Sequence, residues 1–260
     1  MKRGLDYDRI AAGYDRRFEH DAPSVATARA LVDVIRPMSS PHILEVGCGT
    51  GHWLGQLAPV TGQLYGLDRS WGMLAQASAK DLPAGLVQGD AVSLPFARAA
   101  FDLLYCVNAI HHFSDQRRFI MDAARVIAPH GRIAILGSDP FYDKNSWYVY
   151  DYFEGVWEID RARFKSWDLL AAWLSAAGFE RVEKSEIRHI HTSHEGREVF
   201  SDPFLRKQAT SQLALLSQEA YDRGLERIQS AIQKAQDRGE PIRFETELSI
   251  FMLTGVKQAA

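Results

Sequence analysis

The sequence predicts an α/β fold: a doubly wound, mostly parallel sheet with helices on both faces. Three observations carry this. First, the apolar run Ile43-Leu44-Glu45-Val46 stops abruptly in Gly47-Cys48-Gly49-Thr50-Gly51. Strands buried on both faces read as such near-continuous runs, and glycines let the backbone turn tightly with no Cβ in the way of a ligand. Second, Asp68 follows 17 residues after Gly51, at the tip of the next apolar run. Third, strand-like and helix-like segments alternate over residues 42–138, the pattern of a parallel sheet. A strand, a glycine turn, a helix and an acid on the following strand suit an adenosine-containing cofactor at the sheet's carboxyl edge.

Residues 1–40 read as a helical cap. Tyr7, Ile10 and Tyr14 recur at helical spacing, and Val25 to Ile35 continues as an amphipathic helix that stops before Pro37. Ile43 to Val46 is the first strand, His52 to Ala58 a helix, Leu64 to Asp68 the second strand, Phe101 to Val107 the fourth and Arg132 to Leu136 the fifth. Ser166 is placed to cap a helix over Trp167 to Ala177, and Gly178 stops it. Val182 to His191 and Phe244 to Val256 read as the last strands. Asp139 to Arg163 and Thr192 to Gly239 fall outside the alternation. The first is rich in aromatics; the second carries Leu213, Leu216, Ala220, Tyr221, Leu225, Ile228 and Ile232 at helical spacing. Both are expected to build a lid and an aromatic-lined substrate pocket; a thicker core or a homodimer face is the alternative. The organisation expected is therefore a cap over 1–40, a core over 41–191, a helical insertion over 192–240 and a final core strand over 241–260.

The 260 residues are 46% hydrophobic and 24% charged, enough for one compact domain with a lid. A net charge of −3 gives no basic excess to advertise nucleic acid or an anionic membrane. No apolar run reaches the length of a membrane span, and Met1-Lys2-Arg3-Gly4-Leu5 opens no signal-peptide core. Cys48 and Cys106 end neighbouring strands and are expected to be reduced thiols of a cytoplasmic protein. His189, His191 and His194 are spaced loosely like metal ligands, but nothing joins them, and no metal is assigned.

A dinucleotide fingerprint needs a third glycine where His52 stands. The run Leu44-Glu45-Val46-Gly47-Cys48-Gly49-Thr50-Gly51 instead resembles the first motif of class I S-adenosylmethionine-dependent methyltransferases. Further pieces follow in that family's order: Leu64-Tyr65-Gly66-Leu67-Asp68; Arg69-Ser70-Trp71-Gly72-Met73-Leu74; Gly89-Asp90-Ala91 with Leu94-Pro95-Phe96; Phe101 to Asn108 with Ala109-Ile110-His111-His112-Phe113; Arg125 to Arg132; and Ala177-Gly178-Phe179. Tyr7-Asp8-Arg9-Ile10-Ala11-Ala12-Gly13-Tyr14-Asp15 is similar to the opening of the ubiquinone-biosynthesis-like, small-molecule branch. The resemblance implies a seven-stranded sheet of order 3-2-1-4-5-7-6 with the last strand antiparallel.

It also implies S-adenosylmethionine as cofactor and S-adenosylhomocysteine as product. Gly47, Cys48, Gly49 and Gly51 would form the cradle, with Glu45 orienting it or meeting the methionine part. Asp68 beside Arg69 would take the ribose hydroxyls, and Met73 and Trp71 the adenine faces. Asp90 and Ala91 would take the adenine edge, while Asn108 borders the transfer site and Tyr14 covers the cofactor. His111 or His112 could serve as a base for in-line transfer to a small-molecule acceptor. A non-catalytic sensor or scaffold on the same fold is the alternative. An RNA methyltransferase is disfavoured, because Asn108-Ala109-Ile110-His111 stands where an N-P-P-Y-type tetrad would be.

Overall fold

Among the described residues eight strands form the sheet: β1 (Ile43–Val46), β2 (Leu64–Asp68), β3 (Ala84–Gln88), β4 (Phe101–Val107), β5 (Ile127–Ser138), β6 (Ser146–Trp147), β7 (Phe179–Glu195) and β8 (Arg243–Lys257). The computed structural model describes residues 5–18, 23–61 and 63–259, so the opening Met1-Lys2-Arg3-Gly4 lies outside the described residues. The strand order is β3-β2-β1-β4-β5-β8-β6, with β7 also paired to β8. Pairings among β1 to β5 are parallel. β8 runs antiparallel to β5, from Arg132↔Val256 to Ser138↔Ile250. The doubly wound α/β sheet with a late antiparallel strand is the one expected.

The strand count differs by one. β6 is a two-residue strand inside the aromatic stretch, paired to Thr246 and Glu247 of β8; two residues carry no period from which a strand could be read. β5 begins at Ile127 rather than Arg132. It reaches its straight run through a register shift opposite Phe101 and Leu103, and His130 sits at φ 63°. The helical spacing in the late insertion belongs to two helices, Ser211–Ala214 and Gln218–Asp237. Ser217 breaks them apart by accepting the Ala220 N–H as an N-cap, which stops a helix without disturbing the apolar spacing. Ser166 caps its helix, Trp167–Ala176, in the same way, through the Leu169 N–H.

The chain divides into two compact units. The larger takes Asp6–Ser138, Lys165–Arg188 and the last part of β8 from Ile250. Its core joins Leu31 and Ile35 of the helix Pro23–Ile35 to Ile43, Leu54, Leu57, Leu103 and Leu136. The smaller takes Asp139–Phe164 and His189–Ser249. Here the two stretches that break the alternation share one core. Trp147, Tyr148, Val149, Phe153 and Val156 pack with Val199, Leu213, Ile228, Ile232 and Phe244. Asp160, fully buried, ties the segments together: it accepts from Tyr150 Oη (2.8 Å), Gln212 Nε2 (3.0 Å) and the Arg163 guanidinium (2.8 Å). Among the described residues no helix is long and apolar enough to cross a membrane. Cys48 and Cys106 are free, buried thiols, and burial pushes both above the usual thiol range.

One charge-bearing group lies inside the larger unit. Glu45 of β1 is fully buried; Tyr105 of β4 donates to its Oε2 at 3.0 Å, and Oε1 makes no hydrogen bond. Burial pushes this carboxyl well above the ordinary range, and the Tyr105 hydroxyl only partly opposes it.

Two substitutions test this packing. Gly224 faces Phe153, whose ring would lie 2.1 Å from an added Cβ and is itself fully buried. In an open helix Gly→Ala gains about 1 kcal/mol; here Gly224→Ala should instead destabilise by about 1–3 kcal/mol in urea denaturation, because the ring has nowhere to go. Glu45 binds its proton more tightly folded than unfolded, so its contribution is best below the free-glutamate value of about 4.3 and is lost as pH rises through the raised folded value. Glu45→Gln keeps an acceptor for Tyr105 and removes that loss. Its stability relative to the native chain should therefore grow as pH rises above the free-glutamate value of about 4.3.

Candidate functional site

The turn after β1 is held by backbone geometry. Gly47, Gly49 and Gly51 lie at φ 75°, 53° and 74°, in the left-handed region that favours glycine. Gly47 is doubly constrained, since an added Cβ would sit 2.6 Å from that of Ala109. Gly49 is different: a Cβ there would meet nothing nearer than Tyr14 Cε1 at 4.0 Å, so the backbone at Gly49 presents an open face. The N–H groups of Gly47 and Cys48 both donate to Leu67 O of β2 (2.7 and 3.1 Å).

Asp68 ends β2 and completes the turn. Its Oδ2 accepts the Gly49 N–H at 2.8 Å and its Oδ1 the Ser70 N–H at 2.9 Å. Burial raises this carboxyl, while the amides of Ser70, Gly49 and Arg69 pull it back down. The capping role and the ligand role are compatible here, because a carboxylate offers about four lone-pair sites and the turn's amides do not take all of them. Ser70 starts the helix Trp71–Ser78 by accepting the Met73 N–H. Met73 is buried at 1% exposure, part of the core beneath the turn, whereas Trp71 is 66% exposed and Arg69 is exposed.

Asp90 shapes the segment after β3: its Oδ1 accepts the Val92 N–H (3.1 Å) and its carbonyl the Ser93 N–H. Ala91 beside it is buried. The far end of this loop is pinned from the helix Gln116–Val126: Asp122 accepts the Leu94 N–H, and Arg125 donates to the carbonyls of Leu94 and Phe96. Asn108, just past β4, is exposed at φ 49°, its N–H on Leu136 O and its Oδ1 beside Gly137.

The N-terminal segment closes over these turns. It runs as a helix, Tyr7–Ile10, then a 3-10 turn, Ala11–Phe18. Each of its two Tyr-Asp pairs fastens to a different turn. Asp8 accepts from the Ser70 hydroxyl (2.6 Å) and the Gly72 N–H (2.7 Å), at the turn after β2. The Ser70 hydroxyl, more than the Gly72 amide, holds the Asp8 carboxyl below its usual range. Asp15 accepts from the Thr50 hydroxyl in the glycine turn and pairs with Lys80 at 2.7 Å. Tyr14 lies against Gly49, and Tyr7 Oη sits 2.7 Å from His112 Nε2 with the two rings edge-to-face at 5.2 Å. The His111 ring centroid is 4.0 Å from that of His112.

Sequence reasoning missed Tyr7, Asp8 and Asp15 as site residues. The signal is the Tyr-Asp dipeptide repeated within the N-terminal segment, seven residues apart. The three later histidines do not converge: His189 and His191 both contact Glu247, while His194 lies 3.7 Å from Asp202. Among the described residues no group of three His, Cys, Asp or Glu side chains is arranged to hold a metal ion.

Comparison with known proteins agrees with this geometry. The methyltransferase domain family matches residues 44–135, from β1 through most of β5. The O-methyltransferase resE of Aspergillus sclerotiorum is 38% identical over 121 residues, 43% of this chain and 46% of that protein. The chain spans about half the length of the curated relatives it matches first. The O-methyltransferase rstn1 of Aspergillus nomiae is matched more fully, at 32% identity over 69% of this chain and 84% of its own length. In fold, the chain superposes on phosphoethanolamine N-methyltransferase 2 of Haemonchus contortus, solved with S-adenosyl-L-methionine. The TM-score is 0.63 at 20% identity, over 97% of this chain and 57% of that one. With a relative matched across 84% of its length and a sheet wound in this order, the chain belongs to the class I S-adenosylmethionine-dependent methyltransferases.

Proposed function

We propose that the protein transfers the methyl group of S-adenosylmethionine to a hydroxyl oxygen of a small-molecule acceptor. The observation that carries this is the joint arrangement at the larger unit's glycine turn. Asp68 keeps lone pairs to spare there, Gly49 presents open backbone, and the Tyr7–His112 pair stands at the end of β4. The residues fit the cofactor: Asp68 would take the ribose hydroxyls, Asp90 and the Ala91 N–H the adenine edge, and Gly47, Cys48, Gly49 and Gly51 the backbone cradle. Tyr14 would cover it and Asn108 would border the transfer site. Glu45, fully buried, supports the cradle from beneath. Met73 has the same supporting place, and exposed Trp71 remains the aromatic able to reach the adenine.

When bound, S-adenosylmethionine supplies a methyl carbon already activated by its sulfonium. The chain's task is to hold the acceptor in line, exclude water and receive one proton. His112 receives it: the ring takes the acceptor's hydroxyl proton, and the Tyr7 oxygen, 2.7 Å from Nε2, accepts the ring N–H of the resulting imidazolium. Tyr7 is thus a positioning residue. A base at this place suits a hydroxyl acceptor, and the choice of oxygen is supported by several relatives named O-methyltransferases. The two reduced thiols suit a cytoplasmic setting.

Calorimetry with S-adenosylhomocysteine should show Asp68→Asn weakened by about 1.5–3 kcal/mol, roughly ten- to a hundredfold, with the fold intact by circular dichroism. Unchanged affinity would remove the ribose assignment. In a product assay over a panel of phenolic acceptors, Tyr7→Phe should lower kcat about tenfold or more and shift its pH profile, leaving cofactor affinity alone. His112→Gln should lose more; full activity in that variant would exclude the base.

A further inference from the structure

Val92 and Ser93, just after the Asp90-Ala91 segment, also border an open groove of about 500 Å³ within the larger unit. Its charge is unlike that of the chain as a whole. Asp122 and Arg125 also line it but neutralise one another at 2.6 Å, and both are used in pinning the loop. Arg98, Arg118 and Lys257 remain, three positive charges on one concavity of a protein whose net charge is −3. Lys257 is anchored by donating to Ala177 O at 3.1 Å. Arg98 and Arg118 are exposed, and among the described residues neither guanidinium makes a side-chain hydrogen bond or an ion pair.

Arg118 lies in the first turn of the helix Gln116–Val126, where the helix dipole disfavours a cation; the carboxylate it acts on, Asp122, is already paired to Arg125. Arg98 stands on a turn fixed by the Ala99 and Ala100 N–H groups on Arg125 O and Val126 O, so both guanidinium stems start from a firm backbone. Two guanidinium forks and an ammonium bordering one groove suit planar or tetrahedral oxyanions, which guanidinium groups bind bidentately. The volume lies within the range of small-molecule sites.

We propose that this groove binds a small multivalent oxyanion, a compound carrying a phosphate or pyrophosphate group, separately from the glycine-turn site. Inorganic pyrophosphate is the probe, titrated calorimetrically into the full-length protein near physiological ionic strength, with chloride at matched ionic strength as the blank. We expect saturable one-site binding, weakened about tenfold or more in the double variant Arg98→Ala/Arg118→Ala. Arg117→Ala, an exposed neighbour outside the groove, should bind as the native chain does. Failure to saturate, or equal weakening by Arg117→Ala, would overturn the site. The readout is independent of methyl transfer, so it stands or falls apart from that reading.

Discussion

The Asp68 carboxylate is the interaction on which the rest of the larger unit's carboxyl edge depends. A turn through three left-handed glycines has little to hold it, because glycine gives up more conformational freedom on ordering than any other residue. Asp68 supplies the missing constraint by accepting an N–H from the β1 turn with one oxygen and from the β2 turn with the other. One side chain therefore sets the spacing between two adjacent strand ends. Its partial burial raises the cost of its charge, and the converging amides offset that cost. The same preorganised carboxylate is what a diol would meet.

The N-terminal segment repeats this logic with two more acids. Asp8 and Asp15 each close on one of the turns that Asp68 joins, so Tyr7 and Tyr14 are delivered to fixed places from a segment with little core of its own. That explains why so few buried residues are needed there. It also places Tyr7 at His112.

Much of this was legible before any coordinates. The apolar run into glycines, the acid at the next strand tip and the strand–helix alternation specify a parallel sheet and its turn, because each follows from local rules of burial and backbone freedom; the strand order comes from the family resemblance instead. What escaped was of two kinds. β6 and the start of β5 depend on partners far along the chain and on irregular register, which leave no period in the sequence. Tyr7 with His112 and Asp15 with Thr50 are side-chain contacts across long separations; the repeated Tyr-Asp marks the segment, but no spacing encodes the partners it reaches. Met73 shows a third limit: an apolar residue after the second strand suits the adenine or the core equally in sequence, and in the structure it is buried.

The most direct measurement is a crystal structure with S-adenosylhomocysteine. The ribose hydroxyls should lie on the Asp68 carboxylate, the adenine edge at Asp90 and Ala91, and the sulfur facing the Asn108–His112 segment under Tyr14. Density for the compound away from Asp68, or a glycine turn that binds nothing at saturating concentration, would contradict it.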